Sequence, residues 1–218
     1  MNGILCELNV GAPRALHHGR VVVQSGIDKT PVAGACWLGE AGLAGDTQVD
    51  RRNHGGPDKA VCVYPSEHFA YWSERLGVPI GPGGFGGNFT TVGLDETTVH
   101  IGDVYRVGET LVQVSQPRAP CFKLAARHRA PRLPLWVQQT GWSGFYLRCL
   151  RPGWVRAGDR IELVRQLDDR LSIADANRIL YGDMAPERQR MLAEAMDRAE
   201  GLAGSLRHAP AGTGAPRS

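Results

Sequence analysis

The sequence predicts a mainly β protein, a barrel with a few short helices and a small C-terminal appendage of three helices. Three observations lead there. Short apolar runs bounded by turn-forming residues recur from the N-terminus to about Gln166. The 28 glycines and 14 prolines of this 218-residue chain are too many for a helical bundle, and they punctuate those runs. Beyond Gln166 the text changes to helix caps and apolar residues at helical spacing.

The strand-like runs include Arg20 to Ile27, Val32 to Leu38, Lys59 to Tyr64, Thr110 to Ser115, Phe145 to Leu150 and Arg160 to Val164. Six or more short strands at such spacing favour closure into a barrel. One helix interrupts the series, with Ser66 as its cap, Phe69, Trp72 and Leu76 as its apolar stripe and Gly77 as its stop. Leu124 to Thr140 reads as helical pieces broken by Pro131 and Pro134, and Gly81 to Gly87 as a loop that cannot sustain a ladder.

In the C-terminal part, Ser172 and Asp175 make a capping-box-like start ahead of Ile179 and Leu180. Pro186 opens a second helix with Met191, Leu192 and Ala195 at helical spacing, and a third piece runs to about Leu206. The chain thus divides into a barrel domain over 1–166, a helical subdomain over 167–208 and a disordered tail over 209–218. So small a helical unit buries little alone and must dock on the barrel. Since every ligand candidate below precedes Gln166, removing the helices is expected to leave a folded barrel that still binds its ligand but receives electrons poorly; if the helices instead only cover an apolar face of the barrel, their removal should cause aggregation through the exposed patch.

A net charge of +3 from 25 basic and 22 acidic residues, with no run of five like charges, argues against a nucleic-acid polymer as partner. The five cysteines, at 6, 36, 62, 121 and 149, form no C-x-x-C pair, so neither a disulfide framework nor a zinc site is expected. A reducing, cytoplasmic setting fits them. The N-terminus lacks a basic-then-apolar signal pattern and no apolar stretch approaches membrane-spanning length, so no membrane partner is expected.

The sharpest chemical signal is Ser115-Gln116-Pro117-Arg118-Ala119-Pro120-Cys121-Phe122-Lys123, which follows an apolar strand. Two prolines fix their own φ and push Gln116 and Ala119 into extended conformations, so Cys121 leaves the strand on a stiff loop. Arg118 and Lys123 supply positive charge that favours a thiolate, which is what a nucleophile or a soft-metal ligand requires. The other cysteines sit in apolar strand-like runs and read as core filler.

The second signal runs from Gly45-Asp46 through Asp50, Arg51, Arg52, Asn53 and His54 to Gly55-Gly56-Pro57-Asp58-Lys59. Adjacent glycines let backbone N–H groups converge on an anion, and Arg51, Arg52, His54 and Lys59 offer charge-assisted bonds. The same text is also a good plain turn. The third is Gly84-Phe85-Gly86-Gly87-Asn88, where Asn88 presents both a donor and an acceptor to a heterocycle or a phosphate, or simply occupies a tight turn. His68 and His100 read as structural.

Together these segments resemble the MOSC family of molybdenum-cofactor proteins, and within it the YiiM-like branch. The matching stretches are Gly42 to Gln48 (Gly-Leu-x-Gly-Asp-x-Gln), His54 to Ala60, Tyr64-Pro65-x-Glu67-His68, Ile101-Gly102-Asp103-x-Tyr105-Arg106 and Val114 to Cys121. The resemblance implies a MOSC β-barrel of the pyruvate-kinase-barrel type with a three-helix appendage, a molybdopterin-type cofactor, and Cys121 as the thiolate on molybdenum. It makes His54, Lys59, Asn88, Gln116 and Arg118 the cofactor contacts. Relatives act in detoxification of N-hydroxylated bases, which implies two-electron reduction of an N–OH group.

This chain departs from the family pattern at Gly87, where a glutamate is usual, so proton transfer falls to Asp46, Asp58 or water. No flavin or iron–sulfur motif occurs, so electrons come from a separate donor protein. A carrier of the cofactor or of a Cys121 persulfide, without turnover, is the competing function. A purely structural domain would make the stiff Cys121 loop accidental. A homodimer is one assembly the sequence allows.

Overall fold

Alternation along the strands sorts their side chains onto two faces, and the two faces build two different cores. In Val61–Pro65, Val61 and Val63 join a central cluster while Tyr64 joins a second one on the other face. Phe145 and Leu147 in Phe145–Arg151 likewise turn to the central cluster, leaving Tyr146 on the outside. The candidate site lies on that outer face.

The computed structural model describes residues 2–50, 55–167, 169–182 and 185–207. In chain order the first strands are β1 (Asn2–Val10), β2 (Arg14–His18), β3 (Val21–Ser25), β4 (Thr30–Pro31), β5 (Cys36–Gly39), β6 (Gly42–Leu43) and β7 (Val61–Pro65). Helix α1 (Phe69–Leu76) precedes β8 (Phe89–Val92), β9 (Val104–Val107) and β10 (Thr110–Pro117). Helices α2 (Phe122–His128) and α3 (Leu133–Thr140) then lead to β11 (Phe145–Arg151), β12 (Gly153–Val155) and β13 (Arg160–Arg165). The chain continues in α4 (Ile173–Tyr181), α5 (Pro186–Arg198) and a 3-10 turn at Gly204–Leu206.

Seven strands close a barrel in the order β13, β9, β10, β11, β7, β8, β1, and β1 pairs back onto β13 through Asn2↔Glu162 and Gly3↔Ile161. Closure removes the free edges that a seven-stranded sheet would otherwise expose. The one parallel pairing in the barrel, β7 with β8, requires a crossover, and residues 66–88 of that crossover carry α1 and the glycine-rich loop. β2 and β3 form a separate hairpin, and β12, β5 and β6 a small sheet.

The expected strand positions contain or overlap β3, β5, β7, β10, β11 and β13. Some local expectations are corrected. Ser66 makes no side-chain cap; it opens a 3-10 turn over Ser66–His68, and α1 starts behind it. Gly77 does stop α1, in the left-handed conformation at φ 67. Pro134 does not break a helix but lies in the first turn of α3, where its missing N–H costs nothing. Cys6, expected in the core, is exposed. In α5 Met191, expected on the apolar stripe, is exposed, and Met196 is buried.

The C-terminal helices are not a satellite. Leu171, Ile173, Ile179, Met196 and Leu202 lie in the same cluster as Val99, Ile101, Tyr105 and Val112 of the barrel part. Ser172 caps α4 by accepting from the Asp175 N–H, as its sequence implies. Behind α5, Ala203 N–H donates to Ser115 O at 2.9 Å, so the segment is stitched directly to β10.

Candidate functional site

β10 ends at Pro117 because proline has no N–H to give the ladder. The chain then runs to Cys121, which sits half-buried with φ −135 and ψ 171 at the N-cap of α2, its thiol making no cap bond. Arg118 N–H donates to Gly144 O at 3.0 Å, which ties the loop to the start of β11. Cys121, Arg118, Lys123, Lys59, Lys29 and Tyr146 open onto one cleft of about 630 Å³, continuous with solvent.

The lining carries four cations, Lys29, Lys59, Arg118 and Lys123, against the two carboxylates of Asp46 and Asp50. Arg118 is the least compensated. It is 7% exposed, its Nη1 is buried without a partner, and among the described residues no carboxylate pairs with it. Burial opposes its charge, while its ionisable neighbours Cys62, Tyr146, Cys121 and Tyr64, none of them a carboxylate, hold the guanidinium above its ordinary range. A guanidinium cannot escape burial by losing its proton, so this arrangement is costly until an anion arrives. Burial also pushes the Lys59 ammonium below the ordinary lysine range, with Asp50 and Asp58 pulling the other way.

Arg118→Met is therefore expected to raise the melting temperature of ligand-free protein, by about 1 kcal/mol of stability, because it removes an unpaired buried charge at similar length. The same change is expected to lower affinity for inorganic phosphate by about 1.5 to 3 kcal/mol, the worth of hydrogen bonds to a charged group. Thermal denaturation and calorimetric titration check the two effects separately. A variant that is less stable and binds phosphate as well as its parent contradicts the assignment.

The other expected site residues are placed as follows. Asp46 lines the cleft but is committed: it forms a buried ion pair with Lys29 and accepts from Gly11 N–H at 2.7 Å and Asn88 Nδ2 at 2.9 Å. Asn88 also lines the cleft, yet its amide clamps three segments, accepting from Cys62 N–H and donating to Asn9 O and Asp46. Asp58 lies outside the cleft lining, paired with Arg148 at 2.9 Å and accepting from Gly204 N–H. Gln116 is buried away from it and accepts from Ser205 Oγ. Asp58 and Gln116 thus hold the C-terminal segment. His54, with Arg51, Arg52 and Asn53, lies outside the described residues.

Gly87 is buried, and a Cβ there would stand 3.2 Å from Tyr64 Cβ, a tight approach that the glycine relieves. Two lining residues escaped the sequence reading. Lys29 belongs to no motif, and only the fold brings it to Asp46. Tyr146 had a usable signal: it alternates with the core residues Phe145 and Leu147 and must face the other way.

Behind Arg118 stands a buried polar network. Gly144 N–H donates to Glu96 Oε1 at 2.7 Å, and Glu96 Oε2 lies 2.8 Å from His68 Nε2. The His68 ring stacks on Trp142 with centroids 4.6 Å apart. Gly144 has φ +74, and any Cβ there would stand 2.3 Å from Val63 O, so only glycine fits. Glu96→Ala is expected to cost about 2 to 4 kcal/mol in urea denaturation, because two buried groups lose their partner. Glu96→Gln, which keeps an acceptor for Gly144, should recover at least half of that loss.

With the geometry established, comparison places the chain. The model of the MOSC domain matches residues 50–162. A relative from Bacillus subtilis, the uncharacterized protein YflK, is 47% identical over 177 residues, covering 81% of this chain and 80% of YflK. The chain belongs to the MOSC-domain family. The crystal structure of YiiM from Geobacillus stearothermophilus superimposes with a TM-score of 0.78 at 42% identity, over 94% of this chain and 95% of that one. A protein named reductase from Gibberella moniliformis is 31% identical over 184 residues, 82% of this chain but 32% of the fungal protein. The barrel and the helices of this chain are those of a YiiM-like MOSC protein. No helix of the described residues is long and apolar enough to cross a membrane.

Proposed function

We propose that this MOSC protein binds a molybdenum cofactor of the molybdopterin type and reduces N-hydroxylated compounds, N-hydroxylated purine bases among them. The observation that carries the reading is the pairing of the Cys121 thiol with the buried, anion-less Arg118 in one cleft. A soft sulfur ligand beside uncompensated positive charge suits a group that joins a thiophilic metal to a phosphate-bearing anion. Among the described residues no three His, Cys, Asp or Glu side chains converge as a metal site, so a metal on Cys121 would bring its other ligands with it.

The residues fit that group. Cys121 would ligate the metal; Arg118 and Lys59, with Lys29 and Lys123 beside them, would hold its anionic parts. When bound, the cofactor supplies two-electron redox chemistry, and the protein supplies position and charge. The net reaction takes an N–OH compound, two electrons and two protons to an amine and water. The electrons come from a separate donor protein in the cytoplasm. The fungal relative named reductase supports an oxidoreductase role.

The deciding experiment is molybdenum and pterin content per chain of protein made in a cofactor-producing host, followed by turnover of an N-hydroxylated purine with a chemical reductant. Loaded and active protein supports the proposal. Loaded but inert protein favours a cofactor carrier, and protein free of metal and pterin overturns both readings.

A further inference from the structure

The structure assigns a role to Tyr146: we propose that its phenol is the proton donor to the departing hydroxyl of an N–OH substrate. The inference rests on the proposed reductase reading and extends it to the chain's own acid. It begins from what the cleft lacks. Asp46, the carboxylate in the lining expected to move protons, is held by Lys29, Gly11 and Asn88. Asp58 is outside the lining and paired with Arg148, and position 87 has no side chain. Asp50, the remaining carboxylate of the lining, pairs with Lys123 at 3.4 Å.

Tyr146 is 6% exposed and its side chain contributes to the cleft that Cys121 enters. Arg118 and Cys121, both of the same lining, are among the ionisable neighbours of its phenol. A guanidinium has only donors, so a hydrogen bond from Arg118 would leave the phenol proton available. Lys59 Nζ, also of the lining, stands 6.0 Å from the ring centroid. Arg118 offsets part of the cost that burial puts on the phenolate left when the proton departs. Burial pushes the Tyr146 phenol well above the ordinary tyrosine range while Arg118 pulls it down, so it stays protonated at neutral pH.

The step balances. As the N–O bond breaks, the nitrogen keeps the electron pair supplied from a reduced flavin- or iron–sulfur-type donor protein. The leaving hydroxyl takes the phenol proton and departs as water. The nitrogen takes a second proton from solvent, which also restores the phenol.

Tyr146→Phe removes the proton at almost equal volume and tests the assignment in cofactor-loaded protein with matched metal content. Reduction of an N-hydroxy purine is expected to fall about a hundredfold or more, the range for a positioned general acid. Reduction of the corresponding N-acetoxy purine, whose leaving acetate needs no proton, should stay within about threefold of the parent. In oxidised protein without electron donor, the variant should bind the N-hydroxy purine several-fold more weakly than the parent and bind the amine equally well. Equal losses on both substrates, or undiminished N–OH reduction, overturn the role of Tyr146 while leaving the reductase reading intact. A loaded parent that reduces neither substrate overturns the reading and the inference together.

Discussion

Cys121→Ser is expected to bring molybdenum content from near one per chain to background while the fold stands unchanged or slightly firmer. The loss follows from ligand chemistry, since a hard hydroxyl that stays protonated replaces a soft thiolate at nearly equal volume. The firmness follows from position. Cys121 is the N-cap of α2 and its side chain makes no cap bond, whereas serine is a preferred N-cap. A gain of about 0.5 to 1 kcal/mol in denaturation is therefore expected alongside the loss of metal. Elemental analysis and a urea melt on the same preparation give both values, and equal molybdenum in mutant and parent would falsify the ligand assignment.

Truncation after Gln166 is the second large effect, and the shared core favours the second of the two outcomes that the sequence leaves open. The sequence marks the segment as an appendage that docks, so its loss either spares the barrel or uncovers an apolar face. Yet Leu171, Ile173, Ile179, Met196 and Leu202 are shared with the central core, and their removal withdraws roughly 10 kcal/mol of burial at about 2 kcal/mol each. That matches the whole stability of an ordinary domain, about 5 to 15 kcal/mol. The shortened chain should be insoluble or lack a cooperative melt, and soluble cofactor-loaded protein would show that the barrel closes its core without the helices. The loss of the Ala203 bond to Ser115 also loosens the strand that leads to Arg118 and Cys121.

What could be read before folding was whatever local chemistry dictates. Gly77, Ser172 and Pro186 act where they stand, because a left-handed stop, a hydroxyl cap and a fixed φ are properties of a few adjacent residues. Cys121, Arg118 and Lys59 were legible for a similar reason: stiff prolines and a polar turn announce them. Asp58 and Gln116 misled as cleft residues because motif membership says nothing about which way a side chain faces. They sit in the right stretch but turn toward Gly204 and Ser205. Lys29 and Glu96 gave no signal at all, since their roles exist only through partners 17 and 48 residues away. Gly87 relieves a crowded approach to Tyr64, a packing fact invisible in the text.

Barrel closure also sets the order of events during synthesis. Asn2 pairs with Glu162, so the first strand leaves the ribosome about 160 residues before its partner, a wait of roughly 10 to 30 s at typical elongation rates. Until then β1 has one open edge, and Ile4 and Cys6 on its outer face offer an apolar, thiol-bearing surface to other nascent chains. Slow codons placed after residue 165 should therefore raise the yield of native protein, while slow codons before residue 160 should raise aggregation, a difference visible in pulse-labelled lysates.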